Sequence, residues 1–333
     1  MATNASTVPI GWTNLTRIDV AMDRHFRHVD DQRLWLFGAP VVLVLGTIGN
    51  LLCIAVLLRK KLRAQSWCWY LIALAVVDLV ALYTTTLDWW IRSLTGVYIG
   101  QISPGTCILE IFLTFLADHF SAWILVAVAC ERVFYIYFPV QSKGMCTRKC
   151  SFIVIAVIGF VLILLNLHII WSADLKERHG AWSCFLNKEF SLSWSWIDMC
   201  FASLFPFVAM AMANGFLIKK LSKLKTSPNG NMRSKNRQLI VMILTVTVAF
   251  VLLTLPLQIT IVVLIAQTKI DPDDTETINK MHSAVRGAQF IHQFNSVINF
   301  VLYYASNSRF RKELKDWWCS SSSTYHSRTN RDT

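Results

Sequence analysis

Seven stretches of the chain are long and apolar enough to cross a hydrocarbon core, which takes about 20 residues of helix. They run Leu34–Leu58, Trp69–Ile91, Cys107–Phe134, Phe152–Trp171, Trp194–Ile218, Leu239–Ala266 and Ala284–Tyr304. Lipid offers a backbone no water to bond, so each stretch is expected to close its own hydrogen bonds as a helix. The third and seventh carry polar residues among the apolar ones, which places them toward the interior of a bundle. The pattern predicts an all-α protein, a seven-transmembrane helix bundle filling residues 34–304 as one domain. It is preceded by a short polar tail (1–33) and followed by a segment over 305–319 and a polar tail expected to be disordered (320–333). No internal repeat is visible.

Composition agrees. Charged residues make up 16% of the chain, a scarcity that few soluble domains of this length show. The formal net charge of +12 raises nucleic acid as a partner, but the basic residues gather in short runs between the apolar stretches. Most of the 32 Lys and Arg residues fall on one side of the expected membrane: Arg59–Arg63, Arg132–Lys149, Lys219–Arg237 and Arg309–Arg331. The positive-inside bias makes that side cytoplasmic and the amino terminus extracellular, with no nucleic-acid role. The sequons at Asn4 and Asn14 then lie outside, where N-glycosylation occurs. Residues before Leu34 contain no apolar core of a cleavable signal, so the first span is expected to act as its own insertion signal.

Helix number admits channels, transporters and receptors; short motifs separate them. Gly49-Asn50 lies in the first span, Leu74-Ala75-Val76-Val77-Asp78-Leu79 in the second, and Glu131-Arg132-Val133 closes the third. Pro206 lies in the fifth, Phe250 and Pro256 in the sixth, and Asn299 and Tyr303 in the seventh, followed by Ser308-Arg309-Phe310-Arg311-Lys312. One marker per span, in this order from about Leu34 to Trp318, resembles the rhodopsin-like (class A) G-protein-coupled receptors. Phe300 and Asn166-Leu167-His168 resemble, more loosely, invertebrate neuropeptide receptors of the FMRFamide type. Midplane helix breaks in paired halves, the mark of a transporter, are missing. An enzyme is disfavoured because Asp118 and His119 are adjacent rather than facing, with no nucleophile or metal-ligand set around them.

The resemblance implies roles for named residues. Asp78 stands mid-membrane, where a carboxylate costs roughly 3 kcal/mol even on lenient scales. In the family such an Asp joins partners matching Ser121, Asn295 and Asn299 around a sodium ion, an allosteric modulator and the only cofactor expected. The alternative is a neutral Asp78 bonded to Asn50 and water. Glu131 is implied to hold Arg132 at rest, and Asn299 and Tyr303 to complete the switch by which Arg132 meets a heterotrimeric G protein. Plain interfacial snorkelling of Arg132 is the other reading. Pro206 and Pro256 permit kinks where the family's fifth and sixth helices swing open toward the cytoplasm. The family pairs Cys107 with Cys184. Residues 305–319 are implied to form an amphipathic eighth helix, where Cys319 is a palmitoylation candidate or an unmodified interfacial cysteine. Arrestin, receptor kinases and membrane lipids join the expected partners, and the plasma membrane is the expected location.

Several positions depart from the family pattern. Phe300 stands where a Pro is usual, Thr254 where a Trp is common, and Asn214 where a Tyr is usual. No acid near Asn236 can reach across to Arg132. These departures put the locking of the resting state in doubt.

A short outer tail directs an extracellular ligand to a pocket between the outer halves of the helices. The seventh span has no interior Lys for a retinal Schiff base, and Thr114 replaces the Asp of amine receptors. Acids and aromatics remain: Asp88 with Trp89 and Trp90, Glu110, Asp118 with His119, Trp194, Trp196 and Asp198, and further Arg92, Arg286, Gln258, Gln289 and His292. Carboxylates and aromatic faces suit a basic, amidated peptide. The alternatives are a small-molecule or odorant ligand, with the Trp residues forming an interfacial belt and the acids hydrated.

Overall fold

A computed structural model describes residues 29–178, 181–186, 197, 199–224, 230–271 and 273–329. Asn4, Asn14, Trp194, Trp196 and Asp198 lie outside the described residues. The first span is Val29–Leu57, and the second runs Ser66–Ala81, through a π-helical turn at Leu82–Thr86, into Leu87–Thr95. The third is Pro104–Tyr137 and the fourth Arg148–Asn166. The fifth begins as a π-helical turn, Cys200–Leu204, and continues as Phe205–Leu224; the sixth is Gly230–Ile270. The seventh comes in two pieces, Thr275–Gln293 and Asn295–Ser306, before a terminal helix Ser308–Thr329.

Six helices among the described residues are long and apolar enough to cross a membrane. The seventh span fails that measure because it is interrupted at Phe294 and its first piece carries Glu276, Lys280, His282, Arg286 and His292. A helix that polar crosses lipid only with its polar side chains turned inward, and His282, Arg286 and His292 are indeed buried. The fourth helix is the opposite case. Ile153, Val157, Phe160, Val161 and Leu164 stand exposed along it, an apolar face suited to lipid rather than water.

Helix ends follow local chemistry. Ser103 and Thr106 form a reciprocal capping box before Pro104, the Ser103 hydroxyl accepting from Thr106 N at 3.1 Å. Asp274 caps the seventh span by accepting from Thr277 N at 3.0 Å, and the Thr277 side chain together with that backbone bond holds its carboxyl below the usual range. Gly96 ends the second span with φ +73°, a left-handed conformation open to glycine at little cost.

Two features go beyond the expectation from sequence. The loop after the fourth span folds as an antiparallel hairpin, Ala173–Arg178 paired with Ala181–Leu186, and the Cys107–Cys184 disulfide fastens its second strand to the head of the third span. The terminal helix runs to Thr329 instead of stopping at 319, since no Gly or Pro between Ser308 and Thr329 breaks it. The main core lies in the half of the bundle away from the hairpin, where Leu57, Leu74, Leu125, Met210, Ile243, Tyr303 and Phe310 pack together.

Candidate functional site

Midway along the bundle the second, third, sixth and seventh spans leave a small cavity, with room for about one or two waters or a small ion. Asp78, Ser121, Asn295 and Asn299, grouped from sequence as one ion site, all line it, and Asp118, His292 and Ser296 join them. Asn299 Nδ2 donates to Asp78 Oδ2 at 2.7 Å, and Asn50 Nδ2 bridges the carbonyls of Gly46 and Ser296 at 2.9 and 2.7 Å. Asn50 therefore ties the first span to the seventh and does not bond Asp78, contrary to the structural alternative raised for that acid. Asp78 is 2% exposed, so its carboxylate needs a cation or a proton beside the Asn299 amide. The lining is rich in hard oxygen donors, the chemistry of an alkali or alkaline-earth cation. Among the described residues no trio of His, Cys, Asp and Glu could hold a metal by itself. The oxygens of Ser121, Asn295 and Asn299 would therefore have to share the work with the carboxylate. His292 Nδ1 is buried with no hydrogen-bond partner.

Arg132, 4% exposed, closes the other end of the third span. It pairs with Glu131, donates from Nη2 to Ser66 Oγ at 3.4 Å, and lies over the Tyr135 ring at 4.9 Å. Ser66 in turn donates to Glu131 Oε1 at 2.5 Å. Glu131 and Arg132 are thus held against the start of the second span, a role for Ser66 that no motif advertised. Tyr303 is 1% exposed, its hydroxyl without a partner and its ring against Phe310 at 5.9 Å.

The residues that depart from the family pattern have found partners. Asn214 and Thr247 join the fifth and sixth spans by hydrogen bonds of 2.9 and 3.1 Å. Thr254 accepts from Asn295 Nδ2 at 3.0 Å, and Phe300 packs edge-on against Phe310 at 5.9 Å.

The acids at the hairpin end divide. Asp88 is buried and accepts from Ile99 N at 2.9 Å; Glu110 accepts from the Tyr98 hydroxyl. Arg92 lies over the Trp89 and Tyr98 rings at 5.5 and 5.7 Å. Burial and the Glu110 carboxylate hold the Tyr98 phenol well above its usual range. Asp88 and Glu110 thus organise the loop between the second and third spans, because carboxylates withdrawn from water take the nearest donors. Asp118, on the third span, lines the central cavity instead. Trp89 stacks on Trp35 at 5.0 Å, and Thr114 meets Thr85 at 3.3 Å. His119 is buried with Nδ1 2.7 Å from Phe115 O, and Arg286 donates to Ser283 Oγ at 2.9 Å. Gln258 and Gln289 are half-buried on the sixth and seventh spans, while Cys319 is exposed on the terminal helix.

Comparison with known proteins agrees with this arrangement. The family model described as 7 transmembrane receptor (rhodopsin family) matches residues 49–303. Cysteinyl leukotriene receptor 1 of Mus musculus is 26% identical over 286 residues, covering 82% of this chain and 78% of that protein. Galanin receptor type 2 of Rattus norvegicus is 28% identical over 222 residues, with 61% and 55% covered. Cephalotocin receptor 1 of Octopus vulgaris is 24% identical over 204 residues, with 60% and 50% covered. The family is one of receptors, not enzymes. A helical bundle, a hairpin pinned to the third span and a family match across most of the spans lead to one conclusion: the chain belongs to the rhodopsin family of seven-transmembrane, G-protein-coupled receptors.

Proposed function

We propose that this receptor sits in the plasma membrane with its amino terminus outside and answers a basic, amidated peptide entering at the hairpin end. The observation supporting the ligand reading is Asp118, a third-span carboxylate inside the bundle at the edge of the small central cavity, which itself has room only for an ion or water. Asp78 carries the same cavity as an ion site for sodium, with Ser121, Asn295 and Asn299. Release of Arg132 from Glu131 and Ser66 presents it to the G protein, Asn299 and Tyr303 belonging to the same switch. Glycans at Asn4 and Asn14, an acyl chain on Cys319, and arrestin and receptor kinases at the terminal segment complete the assignment. Galanin and cephalotocin receptors among the relatives support a peptide.

The test is a second-messenger response to a panel of amidated basic peptides in cells expressing the chain. Arg132→Ala and Asp118→Asn are run beside it at matched surface expression. A dose-dependent signal lost in the first variant and right-shifted at least tenfold in the second is the expected result. Silence of the surface-expressed receptor across the panel would sink the basic peptide.

A second reading is an acidic, non-peptide small molecule. Arg286 offers a buried cation on the seventh span, two of the sequence-predicted acids bond to the loop between the second and third spans, and a cysteinyl leukotriene receptor is among the relatives. Activation by such an acid, lost in Arg286→Gln and unchanged in Asp118→Asn, would establish it instead.

A further inference from the structure

Family receptors open at the end of the bundle where Arg132 lies, and the sixth span of this chain carries no acid there to hold Arg132. A different contact joins that span to its neighbours. Asn307 is the extended residue between the seventh span and the terminal helix, and it caps that helix. Its Oδ1 accepts from Arg309 N at 3.0 Å and from Phe310 N at 3.4 Å. One donor of that first turn is left over, the amide of Ser308, and a helix start leaves such groups to be satisfied from outside. Gln238, on the sixth span, supplies the acceptor. Its Oε1 takes Ser308 N at 3.3 Å and Ser308 Oγ at 2.5 Å. One turn further along the sixth span, Met242 Sδ lies 3.4 Å from Asn307 Nδ2. Asn307 is 3% exposed and Met242 1%, so these bonds close against a packed core that includes Phe310.

We infer that Gln238 and the Asn307–Ser308 corner form a latch that holds the sixth span closed, in place of an ionic contact to Arg132. The inference rests on the reading that this receptor signals by opening at the Arg132 end. The latch is uncharged. Its strength is that of a few neutral hydrogen bonds, each exchanged for water on opening at a modest net cost. Such a latch sets the resting equilibrium without preventing its reversal by a bound ligand.

Agonist-independent G-protein activation, normalised to receptor at the cell surface, tests it. Gln238→Ala and Ser308→Ala are each expected to raise basal activity by roughly threefold to tenfold, the range set by losing about one net hydrogen bond. The double variant is expected to rise no further than the larger single one, because the two changes break the same contact. Gln238→Glu keeps an acceptor for both Ser308 donors and is expected to stay near the wild-type level. Basal activity unchanged in both alanine variants would overturn the latch, as would a rise that Gln238→Glu matches in full. Should Gln238→Ala fail to reach the surface, Ser308→Ala, the loss of a single half-buried hydroxyl, carries the decision. Adding Arg132→Ala to Gln238→Ala separates the two ideas. Loss of the elevated signal supports opening toward the G protein, and its persistence would sink the assigned coupling role of Arg132 while leaving the latch standing.

Discussion

At the scale of single residues, buried charge governs this protein. Asp78 has one amide donor, from Asn299, and a cavity with oxygen ligands beside it. If sodium occupies that cavity, agonist affinity measured with and without sodium chloride will differ in the wild type, and Asp78→Asn will remove the difference. A sodium effect preserved in Asp78→Asn would refute the ion site. Tyr98 and Glu110 make a second, purely architectural case. Tyr98→Phe leaves a half-buried carboxylate short of its donor, and should lower thermal stability by about 1–2 kcal/mol in detergent unfolding. An unshifted melting temperature would mean that water replaces the hydroxyl freely. Asp78, Ser121, Asn295 and Asn299 could be grouped from sequence through the family resemblance, and all four line one cavity. Ser66, Tyr98 and Gln238 were not legible in this way, because nothing local marks a polar residue whose partner lies in another helix.

At the scale of elements, ends and joints decide. The disulfide links residues 77 positions apart and is what attaches the hairpin to the third span. Cys107→Ser should cost about 2–4 kcal/mol and lower ligand affinity more than it lowers the melting temperature of the bundle core. Equal losses in both would show that the hairpin is not an independent element. The Asp274 cap gives a pH test. Its folded pKa is depressed, so its contribution is present above the unfolded value of about 3.9 and is lost as pH falls below that. Asp274→Ala should therefore lower stability equally at about pH 8 and pH 5, and Asp274→Asn should restore it, since Asn also caps. The spans were legible from apolar length, though the first piece of the seventh reads as polar. The hairpin was not, because its strands alternate too briefly to separate from a polar loop, and the π-helical turn in the second span leaves no mark in composition.

At the scale of the whole molecule, the first span meets the seventh at Gly38. A Cβ there would stand 2.4 Å from Phe290 Cζ, whose ring is wedged edge-on against Trp35 and Phe294. Gly38→Val should force those rings apart, costing about 1–3 kcal/mol of overpacking and reducing surface expression. Normal expression with an unchanged melting temperature would show that the ring yields freely. The sequence by itself determined the class and the number of spans, gathered most of the basic residues on one side of those spans, and grouped Asp78 with Ser121, Asn295 and Asn299. Those properties are additive along the chain: apolar length, charge counts and one motif per helix. Tertiary structure alone decided where each carboxylate is placed. Sequence marks Asp118 only as deeper in its span than Asp88 or Glu110, whereas the structure ties those two to a loop and sets Asp118 against a cavity. It also decided what takes the place of the missing acid on the sixth span, since a hydrogen bond between Gln238 and Ser308 depends on two helices meeting 70 residues apart in the chain.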